Sequence, residues 1–217
     1  MFYDIMRVIG IVTGYPAQLL FFKKKIYYEN DRAKGRTFRG GALIVSNHFN
    51  PLDYVANVFV FFPRKLCVVA SEDAFRNKLQ SFGMRFWGGI QANRVTGNMS
   101  FVRGSINEIK KGNLVQIFPE GHNTPDGKIH PFYPSYVLIP LHAKAPIIPV
   151  VTDGNYGLFK RTHIIVGEAI DLAEHIEGKR HTSEELLRLN DIVFNKVLEL
   201  REELERRKTD GKRGKKD

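Results

Sequence analysis

The chain has 217 residues, 43% hydrophobic and 12% aromatic, which suits one α/β domain with appendages and supplies enough apolar side chains for a sizeable core. Its single cysteine, Cys67, excludes an internal disulfide, and its place in the apolar run KLCVVA marks it as a buried strand residue in a reducing compartment. The formal charge of +10 favours anionic partners such as phospholipid headgroups, an acidic carrier protein or nucleic acid. Half of that charge lies in residues 206–217, where seven Lys or Arg accompany two Asp, and this run is expected to be a disordered, solvated tail.

The N-terminal thirty residues carry a different pattern. Residues 8–22 form an uncharged apolar run that meets Lys23, Lys24 and Lys25. It falls short of the ~20 residues that span a bilayer as a helix, and Pro16 interrupts it. Asp4 ahead of the run argues against a secretory signal. Aromatics and a lysine triplet beside an apolar helical stretch suit an amphipathic helical segment lying in a membrane interface, with packing on the domain as the alternative. Residues 1–39 are expected to form this membrane-binding segment and residues 40–205 the folded domain.

Beyond Gly40-Gly41, short apolar runs alternate with helical segments, which predicts an α/β fold: a mixed, largely parallel sheet flanked by helices. Strands are expected at 42–46, 66–70, 89–92, 114–118, 147–151 and 164–166. Helices are expected at 51–61, 74–87 and 98–111, the last closed by Gly112. A final helix opens on the capping box TSEE at 182–185 and places Leu186, Leu187, Val193, Phe194, Val197, Leu198 and Leu204 on one face.

Four blocks follow strands or end them, where α/β folds keep their sites: SNHFNPLD (46–53), GGIQANR (88–94), IFPEGHNT (117–124) and PIIPVVTDG (146–154). Pro149 cannot donate to a ladder, so it suggests an edge, a bulge or a site wall. In the first block Asn50, Pro51 and Asp53 read as a helix start, with the Asp53 carboxylate bonding the backbone N–H of the Asn50 cap. On that reading His48 is a loop histidine. The other reading pairs the two. Five residues apart, they would be separated by about 140° on a regular helix, so His48 must lie outside it and fold back over its first turn. Asp53 would then accept from one imidazole nitrogen and leave the other free to take a proton. With no G-x-S-x-G and with Cys67 in mid-strand, the nucleophile for such a base belongs to a substrate. The histidines show no metal-ligand spacing, and no metal is expected.

In this order, across residues 40–170, the blocks resemble the glycerolipid acyltransferase family typified by 1-acylglycerol-3-phosphate acyltransferase. Asn47, His48 and Asp53 match its N-H-x-x-x-x-D. Gly88, Ile90 and Arg94 match G-x-I-x-x-x-R, and Phe118, Pro119, Glu120 and Gly121 match F-P-E-G; the apolar strand with a proline is IIPV around Pro149. The resemblance implies an O-acyltransferase of phospholipid biosynthesis. His48 would deprotonate a hydroxyl of a glycerol-phosphate lysolipid, 1-acylglycerol-3-phosphate in the typical member, and Asp53 would orient His48. The hydroxyl would attack an acyl thioester carried by coenzyme A or acyl carrier protein, a co-substrate rather than a cofactor. Substrate contacts would fall to Asn47, Arg94, Phe118, Pro119, Glu120, Gly121, His122 and Pro149, with bracing of the turn as the alternative for Glu120. The implied partners are an anionic membrane surface on its cytoplasmic face, the lysolipid and acyl carrier protein, with no nucleic acid. One departure stands out: the family pattern continues with an arginine where this chain has Asn123, and a neutral amide cannot give a charge-assisted bond to phosphate. A less anionic acceptor, or a non-catalytic lipid-binding relative, is therefore the alternative.

Overall fold

The computed structural model describes residues 2–21, 23–36, 40–92, 99–158, 160–176 and 182–213. Among them, seven strands form one sheet: β1 (Lys23–Tyr28), β2 (Ala42–Ser46), β3 (Leu66–Ser71), β4 (Gly89–Ala92), β5 (Leu114–Ile117), β6 (Ile147–Thr152) and β7 (Arg161–Val166), in the spatial order β1-β7-β6-β2-β5-β3-β4. The helices are α1 (Phe2–Phe21), α2 (Asp31–Arg36), α3 (Asp53–Phe61), α4 (Lys78–Phe86), α5 (Ser100–Lys110), α6 (Leu138–Ala143) and α7 (Ser183–Arg213). Strands β4, β3, β5, β2 and β6 pair in parallel, β7 runs antiparallel to β6, and β1 is parallel to β7.

Alternation along the strands fills two apolar layers. Leu43, Val45, Val115, Ile147 and Val151 face α5, α6 and α7. Ala42, Ile44, Leu114, Ile148 and Val150 face α3 and the Ile11 side of α1. All five residues of β2 are buried, so the strand that carries the first block is the centre of the sheet.

Several expectations need correction. The sheet starts at Lys23, ahead of residue 40: the lysine triplet belongs to edge strand β1, whose residues pair with Arg161–Val166 of β7. Lysines on an edge suit this position, because they discourage pairing with another chain while the strand's other side is hydrogen-bonded. Helix α1 continues through Pro16. The segment expected as a helix at 74–87 divides into a 3₁₀ turn (Glu72–Phe75) and α4, because the Asn77 side chain accepts from the Gln80 amide (2.8 Å) and starts the helix there. In α7 the Thr182 hydroxyl accepts from the Glu185 amide (3.2 Å), as a cap should. The buried stripe is Leu189, Val193, Val197, Leu200 and Leu204, while Leu187 is exposed. That helix also runs into the expected disordered tail. Arg207 donates to the Tyr28 and Glu29 carbonyls and Lys208 pairs with Asp153, so contacts with β1 and β6 hold residues 206–208 in place. Residues 214–217 lie outside the described residues.

Pro149 sits inside β6, between β2 and β7, rather than on an edge. Val150 pairs with Val166, yet Ile147 bridges Ile170, so two residues of β6 oppose three beyond β7. The extra residue makes a bulge where Pro149 offers only its carbonyl, to the Gly167 amide (2.8 Å). Pro149 is thus a sheet residue and no wall of the site.

Candidate active site

The end of β2 is locked before it releases His48. Asn47 is fully buried, and its side chain donates to the Thr152 carbonyl (3.0 Å) and accepts from the Thr152 amide (2.9 Å). This adds one side-chain rung to the β2–β6 ladder and leaves Asn47 no surface for a substrate. The next amide, of His48, donates to Glu120 Oε1 (2.8 Å), and the His48 carbonyl accepts from the Thr124 amide (2.7 Å). Glu120 Oε2 accepts from the Thr124 hydroxyl (3.1 Å) and the His130 amide (2.9 Å). Gly121 makes this possible: at φ +76° it closes a turn onto the Phe118 carbonyl (3.0 Å), with the Glu120 carboxylate turned inward. Glu120 is wholly buried, so it braces the His48 backbone and does not reach an acceptor.

His48 folds back over the start of α3, and its Nδ1 lies 3.3 Å from Asp53 Oδ2. The same carboxylate oxygen accepts the Asn50 amide (2.8 Å), while Asn50 Oδ1 takes the Leu52 amide (3.0 Å). The expected Asp53–Asn50 bond is present, but the helix begins at Asp53 rather than Pro51, with Leu52 at its N-cap position and no side-chain cap bond there; the same carboxylate faces the imidazole. With Asp53 ionised, Nδ1 carries the proton and Nε2 presents its lone pair. Phe118 stacks on the imidazole at 4.0 Å between ring centroids and 18° between planes, which fixes its orientation.

Phe118 is also a wall of a cavity of about 520 Å³ at the C-terminal ends of β3, β4 and β5. Val69, Met99, Phe101, Ile117 and Tyr136 make its apolar lining, and Pro119, Gly121 and His122 line it from the third block. So Phe118, Pro119, Gly121 and His122 meet at the cavity beside His48, whereas Asn47, Glu120 and Pro149 support it from behind. Arg94 lies outside the described residues. Sequence reasoning missed Tyr156 and Thr152. The Tyr156 hydroxyl donates to Asp53 Oδ1 at 2.6 Å and lies 3.2 Å from Thr152 Oγ1. A tyrosine two residues beyond the fourth block was the available signal.

A histidine with a buried carboxylate partner, set beside an apolar cavity at the C-terminal edge of a parallel sheet, has the arrangement of an enzyme site. Residues 25–153 match the model of the family described as Acyltransferase, and the chain belongs to that family. It is 24% identical over 172 residues, covering 76% of this chain and 83% of the relative, to the 1-acyl-sn-glycerol-3-phosphate acyltransferase of Bacillus subtilis (strain 168). Its fold is similar to the crystal structure of the 1-acyl-sn-glycerophosphate (LPA) acyltransferase PlsC from Thermotoga maritima, with a TM-score of 0.59 and 19% identity over 82% of this chain and 73% of that one.

Proposed function

We propose that the protein transfers a fatty acyl group from an acyl thioester, of coenzyme A or acyl carrier protein, to a hydroxyl of 1-acylglycerol-3-phosphate. The observation that carries this reading is the His48–Asp53 pair stacked against the wall of an apolar cavity. His48 Nε2 takes the proton of the acceptor hydroxyl as its oxygen attacks the thioester carbonyl carbon. Asp53 holds the imidazolium that results. When the tetrahedral intermediate collapses, the C–S bond breaks and the imidazolium returns its proton to the thiolate, giving ester and free thiol. The apolar lining suits acyl chain, and Arg94 would attend the acceptor's polar head. The test is release of free thiol by the purified protein, with both thioester donors, against a panel of lysolipids and polar alcohols. Thiol release with no acceptor of this panel, beyond the rate without protein, would overturn the reading.

Asn123 favours a second reading, a less anionic acceptor. It is exposed on the turn where the family pattern has arginine. A hydrogen bond to a charged group contributes roughly 1.5–3 kcal/mol, so Asn123→Arg should improve kcat/KM for the phosphate acceptor about 10- to 100-fold relative to uncharged alcohols. A wild type that already prefers the phosphate strongly, and is unchanged by Asn123→Arg, returns the assignment to 1-acylglycerol-3-phosphate.

Membrane association is part of the same proposal. No helix among the described residues is long and apolar enough to cross a membrane. Helix α1 buries Arg7 and Ile11 and exposes Ile5, Val8, Ile9 and Val12. On α4, Leu79 (80% exposed), Phe82 (52% exposed) and Phe86 share one face, and Phe86 lies against Gly10 of α1. Two helices thus present neighbouring apolar surface, which suits an interface-lying segment on the cytoplasmic face of an anionic membrane. Leu79→Ser with Phe82→Ser, in the full chain, should lower sedimentation with anionic vesicles at least several-fold while the melting temperature holds. Unchanged sedimentation of the folded double variant would count against α4 as part of the contact.

A further inference from the structure

The His48–Asp53 pair has a third member that none of the four blocks contains. We propose that Tyr156 is a positioning residue for the pair, setting how firmly it holds a proton; this rests on His48 being the base.

Asp53 is 1% exposed, so each carboxylate oxygen needs a donor or it stands bare in an apolar layer. Oδ2 is covered by the Asn50 amide and faces His48 Nδ1. Oδ1 is covered by the Tyr156 hydroxyl at 2.6 Å. Because the Tyr156 proton is committed to Asp53, its oxygen accepts from Thr152 Oγ1 (3.2 Å), which in turn accepts the Gly154 amide (3.1 Å). Gly154, Thr152 and Tyr156 form a file of donors that all point at the carboxylate, each polarising the next. Thr152 is fixed by both side-chain bonds of Asn47, so the residue before the base also sets the file. Burial, with the Asp53 charge beside it, raises the proton affinity of the Tyr156 hydroxyl far above its ordinary value and keeps it an O–H donor.

A neutral donor stabilises the carboxylate without cancelling its charge. Asp53 can therefore stay ionised beside a neutral imidazole and still hold the imidazolium formed during turnover. Without the hydroxyl, the proton-free pair suffers most, because it has a bare buried oxygen and no positive charge to offset it. Any added proton relieves it, on either partner, so the pair keeps its proton to higher pH. Among the described residues, the other charged or titratable groups facing this cluster are Glu120 on the turn after β5, Asp153 just after β6, and with it His163 of β7 and Lys208 of α7. A change confined to the Tyr156 hydroxyl leaves all of them in place.

Two variants at one position test this. Tyr156→Phe removes only the hydroxyl and should move the acid limb of the kcat/KM profile up by about one pH unit. Site-specific 3,5-difluorotyrosine at position 156 keeps the ring and strengthens the donor, so the limb should move down. Thiol release with oleoyl-CoA and 1-oleoylglycerol 3-phosphate gives the profile. The His48 imidazole NMR titration, assigned by its loss in His48→Ala, gives the same displacement without substrate. Opposite shifts in the two variants support the proposal. An unmoved titration in both folded proteins overturns it, and should Tyr156→Phe not fold, the difluorotyrosine result decides alone. Activity retained by His48→Ala would instead overturn the base assignment, a separate outcome.

Discussion

Among the described residues three His–Asp pairs occur; His130 with Asp126 is exposed, and of the two shielded pairs only one has the surroundings of an active site. His48 and Asp53 approach to 3.3 Å, with side-chain exposures of 21% and 0%. His163 and Asp153 approach to 3.0 Å through the same two atoms, with exposures of 19% and 4%. Distance and burial do not separate them. What separates them is the company each carboxylate keeps. Asp153 is paired with the Lys208 ammonium at 3.2 Å and takes the His163 amide at 3.0 Å, so its charge is offset by a cation. Among the described residues, Asp53 receives besides His48 neutral donors, from Asn50 and Tyr156, and its charge stays available to an imidazolium. The two rings also look onto different things. His48 stacks on Phe118, a wall of an apolar cavity, whereas His163 lies beside Tyr27 of edge strand β1. A histidine with a carboxylate is a base only where the carboxylate keeps its charge and the free nitrogen meets a substrate.

The sharpest way to break this comparison is to remove each imidazole. His48→Ala should lower acyl transfer about 10²–10⁴-fold, the usual contribution of a positioned base, while His163→Ala should stay within about threefold in the same thiol-release assay. Equal losses would erase the distinction. The carboxylates come next. Asp53→Asn should cost transfer on the order of a hundredfold in a protein that still melts cooperatively. Asp153→Asn should instead reduce stability by about 1–3 kcal/mol, read as a lower denaturant midpoint, with activity per folded molecule kept. Glu120→Gln should fall between them. Three N–H or O–H donors converge on that carboxylate, so an amide must turn its own N–H₂ toward one of them. A midpoint lowered by about 1–2 kcal/mol together with a drop in kcat is expected. The smallest effect belongs to Cys67. Burial, with the Glu108 charge adding to it, pushes its thiol up to about 12, so no thiolate is present at neutral pH. Iodoacetamide at pH 7.5 should leave the folded protein unmodified by mass spectrometry, in keeping with a nucleophile that comes from the substrate.

Much of this was legible in the sequence, for reasons that can be named. Strands β2, β3 and β6 are largely apolar runs, and β5 is one but for buried Gln116, because both faces of the sheet are covered. The His48–Asp53 approach was readable because Asn50 and Pro51 mark a turn ahead of the helix, which lets His48 fold back. Strand β1 was not readable, since KKKIYY has the composition of a charged flank and becomes a strand only when β7 offers it an edge. Asn47 and Glu120 were expected at the substrate. Their types are right for a ligand, but whether a polar side chain points inward depends on partners 105 and 72 residues away, Thr152 and His48. Tyr156 was hidden for the same reason: it meets Asp53 across 103 residues of chain.

Edge strand β1 has one more consequence, and it concerns the order of synthesis. Among the described residues its one strand partner is β7, so Lys23 cannot be paired until Arg161 has been made, and the α7 residues that hold Tyr28 and Glu29 come later still. At ~5–20 residues per second that wait is on the order of ten seconds. For that time β1 waits unpaired while the strands from β2 to β6 are made. Three lysines guard the waiting strand from pairing with a neighbouring nascent chain.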